Sequence, residues 1–279
     1  MTISPNEIPL AQFMNLVQST VAPRPIAFAS TIDAQNRVNL SPFSFFNVFS
    51  INPPILIFSP ARRVRNNTTK HTLENVLEVP EVVINIVDYA MVQQCSLAST
   101  EYEKGVDEFE KAGFVALKSD LVRPPRVANS PASFECKVNQ VIPLGSEGGA
   151  GNLVVCEIVK AHFSPHIFDE NGTINPQKMD LVARLGGDWY ARITSESLFQ
   201  VAKPVANLGI GIDALPAHIW ANKMLSGNDL GKLGNVERLP MEAEVAEFKA
   251  AHKEMAHNDA FLAKLLEENA VFDALCFLM

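Results

Sequence analysis

Two neighbouring stretches hold the residues with most chemical content. From Asn39 to Pro60 the chain reads NLSPFSFFNVFSINPPILIFSP, with Phe43, Phe45, Phe46 and Phe49 interleaved with Ser41, Ser44 and Asn47. Strand alternation puts Ser41, Phe43, Phe45, Asn47 and Phe49 on one side and Ser44, Phe46 and Val48 on the other. Such a strand either buries its aromatics in a core or forms a wall for a flat aromatic ligand. In the second case hydroxyls and backbone groups would bond the ligand's polar edge. Ser59, Arg62, Arg63, Arg65, Lys70 and Thr72 then gather hydroxyls and cations around a predicted helix start. Free N–H groups and the helix dipole favour a phosphate there; lysine adds a mobile charge and arginine a bidentate fork. In isolation this segment reads equally as a solvated basic loop. Joined by one short strand, the aromatic run and the cationic helix start are together more suggestive of a ligand site than either is separately.

Other chemistries lack their motifs. The chain has no GxSxG elbow, no HExxH and no GxGxxG after a strand. Gly227–Lys232 has a P-loop flavour, but its glycine spacing is one short and no Ser or Thr follows the lysine. His162 and His166 lie four apart with Pro165 between them, which argues against a shared helical face, so no metal site is expected. No side chain is marked as a required acid or base, and the catalytic residues stay unassigned.

These stretches need elements to hold them. Short β-rich runs at Ile26–Ile32, Val38–Leu40, Phe43–Phe49, Ile55–Phe58 and Val82–Val87 precede two long ones, Ser133–Ile142 and Leu153–Phe163. Gly145–Gly151 forms a glycine-rich connection between the long pair. Helical spacing marks Ile8–Val17, Thr69–Val79 and Met91–Ala98. The expected fold is therefore mainly β with helices, a barrel decorated by helices over residues 1–195. From 196 to 279 a helical extension is expected, with helices at Leu215–Leu225, Met241–Ala256 and Ala260–Leu278 and a loop at Ser226–Pro240.

Across 279 residues the hydrophobic fraction is 47% and the net charge −8, enough apolar content for a packed core. No basic footprint for nucleic acid is present. Cys95, Cys136, Cys156 and Cys276 are scattered without a CxxC pair, as in reduced cytoplasmic thiols. No secretory leader or membrane span is expected.

The runs PRPIAFAST (Pro23–Thr31), Asn39–Pro60, KHTLENV (Lys70–Val76), SPASFECKV (Ser130–Val138) and RLGGDWY (Arg184–Tyr190) occur in order. Together, over about Val21–Arg192, this set resembles the flavin reductase-like, FMN-binding split-barrel family, the flavoredoxin group. The resemblance implies a split β-barrel, a homodimer and noncovalent FMN at the subunit interface. It also implies reduction of flavin by NADH or NADPH, or electron transfer through FMN to a partner protein. Position by position, it places Ser41, Ser44, Phe45, Phe46 and Asn47 around the isoalloxazine and ribityl chain. Ser59, Lys70 and Thr72 would hold the phosphate, with Arg62 as a weaker candidate and Arg24 and Arg184 near the site. His71 departs from the pattern, which has Asp before this threonine.

Overall fold

A computed structural model describes residues 1–204, 208–256 and 258–279, and the chain divides into two compact units, Met1–Leu198 and Phe199–Met279. The first unit opens with helix α1 (Leu10–Thr20). Strands β1 (Ala27–Ile32), β2 (Val38–Phe43), β3 (Phe46–Ser50) and β4 (Ile55–Phe58) follow, then α2 (His71–Glu78) and β5 (Glu81–Ile86). Two short helices, α3 (Val92–Leu97) and α4 (Glu108–Ala112), lead to the small strands β6 (Ala116–Leu117) and β7 (Arg126–Val127). The long strands β8 (Ala132–Pro143) and β9 (Asn152–Phe163) come next. Helix α5 (Pro176–Met179) and the hairpin β10 (Val182–Arg184) and β11 (Tyr190–Arg192) complete the unit.

The seven longer strands form one antiparallel sheet in the order β2-β1-β5-β8-β9-β4-β3. It curls around an inner core as a split barrel. Strand β1 is buried along its whole length because both of its faces are covered. Ala27 and Ala29 join the inner core with Phe43, Phe58, Ile84, Cys136 and Cys156. Phe28 joins an outer core with Met91, Phe109 and Phe114. The small side chains inside the curl leave room for Phe43 and Phe58, whose rings lie 5.4 Å apart. Complete burial of Phe28 contributes roughly 1.5–3 kcal/mol. Helix α2 presses Leu73 and Val76 into the inner core, so its N-terminal end is held at one place on the barrel.

The aromatic run is not one strand. Expected as continuous over Phe43–Phe49, it ends as β2 at Phe43 and resumes as β3 at Phe46. These are the two opposite edges of the sheet, so Ser44 and Phe45 cross from one edge to the other. Edge placement also explains how β2 tolerates Pro42, which has no N–H to donate. Hydropathy alternation continues through the crossing, which hid the break.

The second unit packs α6 (Ala217–Trp220), α7 (Gly227–Leu233), α8 (Glu242–Ala251), α9 (Asp259–Glu267) and α10 (Val271–Leu278) around Leu215, Ile219, Leu233, Leu262 and Leu275. Two expectations are corrected here. Part of the expected loop Ser226–Pro240 is α7, because Ser226 and Asp229 form a reciprocal capping box that outweighs Gly227 and Gly231. The single helix expected over Ala260–Leu278 is broken at Asn269, whose φ of 57° is left-handed. No helix among the described residues is long and apolar enough to cross a membrane.

Candidate functional site

The crossing at Ser44–Phe45 borders an open cleft of about 570 Å³. Phe45, Phe46 and Phe49 line it with Ile57 and Leu153, and the segment Thr20–Pro25 forms a further part of its wall. The Ser59 amide donates to the Phe45 carbonyl at 2.8 Å and continues the β3–β4 ladder past Phe46 and Phe58. This bond sets Ser59 on the cleft beside Ser44 and Asn47. The loop joining β8 to β9 supports the arrangement at close range. A methyl on Gly151 would meet the Ser59 Oγ at 2.6 Å, and one on Gly148 would meet the Val64 carbonyl at 2.9 Å. At Gly148 it is backbone that approaches too closely for a side chain, whereas at Gly151 the neighbour that would have to give is the Ser59 side chain.

A second, much smaller polar pocket lies at the N-terminal end of α2. Ser41, Arg63, Lys70, Thr72, Ser99 and Tyr102 line it, together with the buried carboxyl of Glu108. The expected site residues are thus divided: Arg24, Ser44, Phe45, Phe46, Asn47 and Ser59 border the cleft, whereas Ser41, Lys70 and Thr72 border the α2 pocket. The intervening loop carries Arg62. Ser99, Tyr102 and, Arg24 apart, the wall Thr20–Pro25 were not singled out as site residues, and Arg63 was noted only as one of the cations before the helix. Ser99 and Tyr102 follow α3, and only the tertiary fold brings them here.

Among the described residues, the hydroxyls of Ser41, Ser44 and Ser59 have no hydrogen-bond partner within the chain, and neither has the Lys70 ammonium. The Lys70 pKa is held below the ordinary lysine value by burial and then by the Arg63 guanidinium. The other charged candidates are engaged. Arg62 donates to Asn67 Oδ1 at 2.6 Å and to the Asn67 carbonyl. Arg184 stacks on Tyr190, 4.7 Å from the ring centre, and donates to the Gly187 carbonyl at 2.8 Å. Thr72 donates its hydroxyl to Asn39 Oδ1 at 2.6 Å, and Asn39 in turn donates to Glu108 at 2.9 Å. Arg24 is buried and donates to the carbonyls of Gln18, Val21 and Leu185. His71 sits at the first turn of α2, its pKa lowered chiefly by burial.

Glu135 on β8, His162 on β9 and Asp120 in the turn between β6 and β7 form a separate polar cluster. Glu135 is fully buried and accepts from the amides of Asp120, Leu121 and Val122 and from His162 at 2.6 Å. Asp120 pairs with Lys160 at 2.5 Å. With its acceptors filled in this way, the cluster anchors the Asp120–Val122 turn to the sheet.

Residues 19–178 match the flavin reductase like domain. A protein of Aquifex aeolicus, itself uncharacterised, is 36% identical over 186 residues, covering 67% of this chain and 92% of its own. Among solved structures, nitrilotriacetate monooxygenase component B from Bacillus cereus is 27% identical with a TM-score of 0.67, over 72% of this chain and 98% of that one. The 2-nitrobenzoate 2-nitroreductase of Pseudomonas fluorescens is 25% identical with a TM-score of 0.66, over 76% and 100%. From the ordered motifs, the curled antiparallel sheet and these likenesses, the chain belongs to the flavin reductase-like family.

Proposed function

We propose that this chain is an FMN-binding oxidoreductase, an NAD(P)H-dependent flavin reductase acting as a cytoplasmic homodimer. The observation that carries the reading is a pair of unengaged donor sets: Ser44 and Ser59 on the aromatic-lined cleft, and Ser41 with the half-buried Lys70 in the α2 pocket. The donor set fits a phosphorylated flavin, since a partly desolvated ammonium that makes no ion pair among the described residues is suited to a phosphate, although Glu101 and Glu108 also border its pocket. Phe45 and Phe46 would line the isoalloxazine, with Ser41, Ser44 and Asn47 bonding its polar edge and the ribityl chain. Ser59 and Lys70 would hold the phosphate. Thr72 would offer its backbone N–H, its hydroxyl being given to Asn39. When bound, FMN supplies redox chemistry that no side chain here provides. The protein's part is to orient it, exclude water and, through Lys70, fix its charged end.

The dimer reading is supported by the apolar surface beside the cleft. Val48 and Phe49 on the edge strand β3, and Ile51 just after it, are all exposed. The buried, unpaired cysteines suit a reducing compartment. The similar Bacillus cereus protein is a monooxygenase component, which favours an enzyme that delivers reducing equivalents. A non-enzymatic FMN electron carrier for a partner protein is the second reading; it needs no acid or base, and among the described residues none lines the cleft. An anaerobic visible spectrum of the FMN-loaded protein separates the two. Prompt bleaching by NADH or NADPH is the expected result. A bound flavin that bleaches only with a partner protein would favour the carrier, and a protein that takes up no flavin would end both readings.

A further inference from the structure

Arg24 is an odd residue to bury. It lies between Pro23 and Pro25 at the edge of the cleft and is only 8% exposed. Among the described residues no carboxylate pairs with it, and its Nε has no hydrogen-bond partner. Its guanidinium instead spans three carbonyls: those of Gln18 and Val21 at the end of α1, and that of Leu185, at 2.8 Å, in the turn between β10 and β11. Its backbone exchanges two further bonds of 2.9 Å with Arg184. One residue thus ties together the end of α1, the cleft wall and the β10–β11 turn.

Helix α1 has little else to hold it. None of its residues is fully buried, Leu10 and Leu16 are exposed, and no basic residue of its own lies in its last turn. The positive charge that a helix C-terminus favours comes from Arg24, beyond the helix. A second contact meets α1 at the same end. Gly186 lies so close that a methyl there would stand 2.9 Å from the Ser19 Cα and collide with the Ser19 side chain.

We infer that Arg24 is a positioning residue for the cleft: it does not touch the ligand but clamps the end of α1 to the Leu185–Gly186 turn, and so sets the wall Thr20–Pro25. This rests on the cleft being the flavin site. It assigns a shared purpose to two motifs 161 residues apart, PRPI and RLGGDWY, which the fold joins through Arg24 and Leu185.

Two variants of the full chain test the clamp from opposite sides. Arg24→Met removes the donors; Gly186→Ala leaves them and pushes on Ser19. Amide hydrogen exchange and FMN titration by fluorescence are measured at a temperature where both variants stay folded. In Arg24→Met, exchange is expected to rise within residues 10–22 and not in β1, β5 or β8. In both variants FMN affinity is expected to fall about tenfold, with the KM for flavin rising and kcat unchanged in turnover. The proposal is overturned if Arg24→Met weakens FMN binding without faster exchange in α1, or if Gly186→Ala binds FMN like the wild type. Either outcome would make Arg24 a direct ligand or a residue without bearing on the cleft. Should the wild type take up no FMN, the flavin reading fails by itself. The exchange comparison then still decides the clamp: faster α1 exchange in Arg24→Met supports it, and unchanged exchange sinks it.

Discussion

The Ser59 amide and the Phe45 carbonyl are joined at 2.8 Å, one step beyond the pair Phe46 and Phe58 on β3 and β4. That bond sets a free hydroxyl beside an exposed aromatic ring at the cleft. It lies at the start of the loop that leads to Lys70.

Lys70→Ala should weaken FMN binding by about 1.5–3 kcal/mol, the worth of a bond to a charged group. Fluorescence titration of apoprotein with FMN reads the change directly. Unchanged affinity in a folded variant would remove Lys70 from the phosphate site.

The same lysine sets a pH dependence. Burial and Arg63 lower its pKa, so it gives up its proton below the ordinary lysine range, near 10.4. FMN affinity should be flat through neutral pH and then decline as pH rises toward that lowered value. Lys70→Ala should lack this alkaline decline. An identical alkaline limb in both proteins would assign it to another group.

Gly151→Ala should also weaken FMN binding, by about tenfold, because the new methyl would meet the Ser59 Oγ at 2.6 Å. Secondary structure by circular dichroism should be unchanged. Full affinity with the alanine in place would mean that Ser59 can move without loss, contrary to its assigned role.

Thr72→Val keeps the shape of the side chain and removes the donor to Asn39 Oδ1. A buried acceptor left unpaired costs about 1–3 kcal/mol. Denaturant unfolding should show a midpoint shift of that size. A neutral result would mean that Asn39 finds another donor.

Glu135 gives a test at acid pH. Burial opposes its ionisation, but the amides of Asp120 and Leu121, with His162, outweigh that and hold its pKa below the usual carboxylate range. A depressed folded-state pKa stabilises the fold above the unfolded carboxylate pKa, and that stabilisation is lost as pH falls through the folded value. Glu135→Gln would turn an amide donor toward backbone donors, at a cost of about 1–3 kcal/mol at neutral pH. Calorimetry should find the gap in Tm closing as pH falls through this window. A gap constant with pH would mean that packing, not charge, accounts for the loss.

Much of this architecture was legible because local and global signals agree. Ile26–Ile32 and Val38–Leu40 read as short β-rich runs, and β1 and β2 form there and pair with each other. The helix at Thr69–Val79 was visible from Leu73, Val76 and Leu77, two of which reach the inner core. The crossing at Ser44–Phe45 was not legible, since a strand and a bridge between strands carry the same alternation there. The engagement of Thr72 by Asn39, and of Arg24 by Leu185, depends on partners far away in the chain. Residue type alone suggested free donors at both positions. Helix α7 was missed because its two glycines masked the cap formed by Ser226 and Asp229.

The bridge of Ser44 and Phe45 between β2 and β3 also has a thermodynamic consequence. It is a two-residue leash between the open ends of the sheet, and it carries the aromatic surface of the cleft. Breathing of either edge must pull on that leash and deform the pocket. A molecule seated in the cleft therefore resists fraying at both edges at once, as a staple would, and its occupancy is written into the slow exchange of both edge strands.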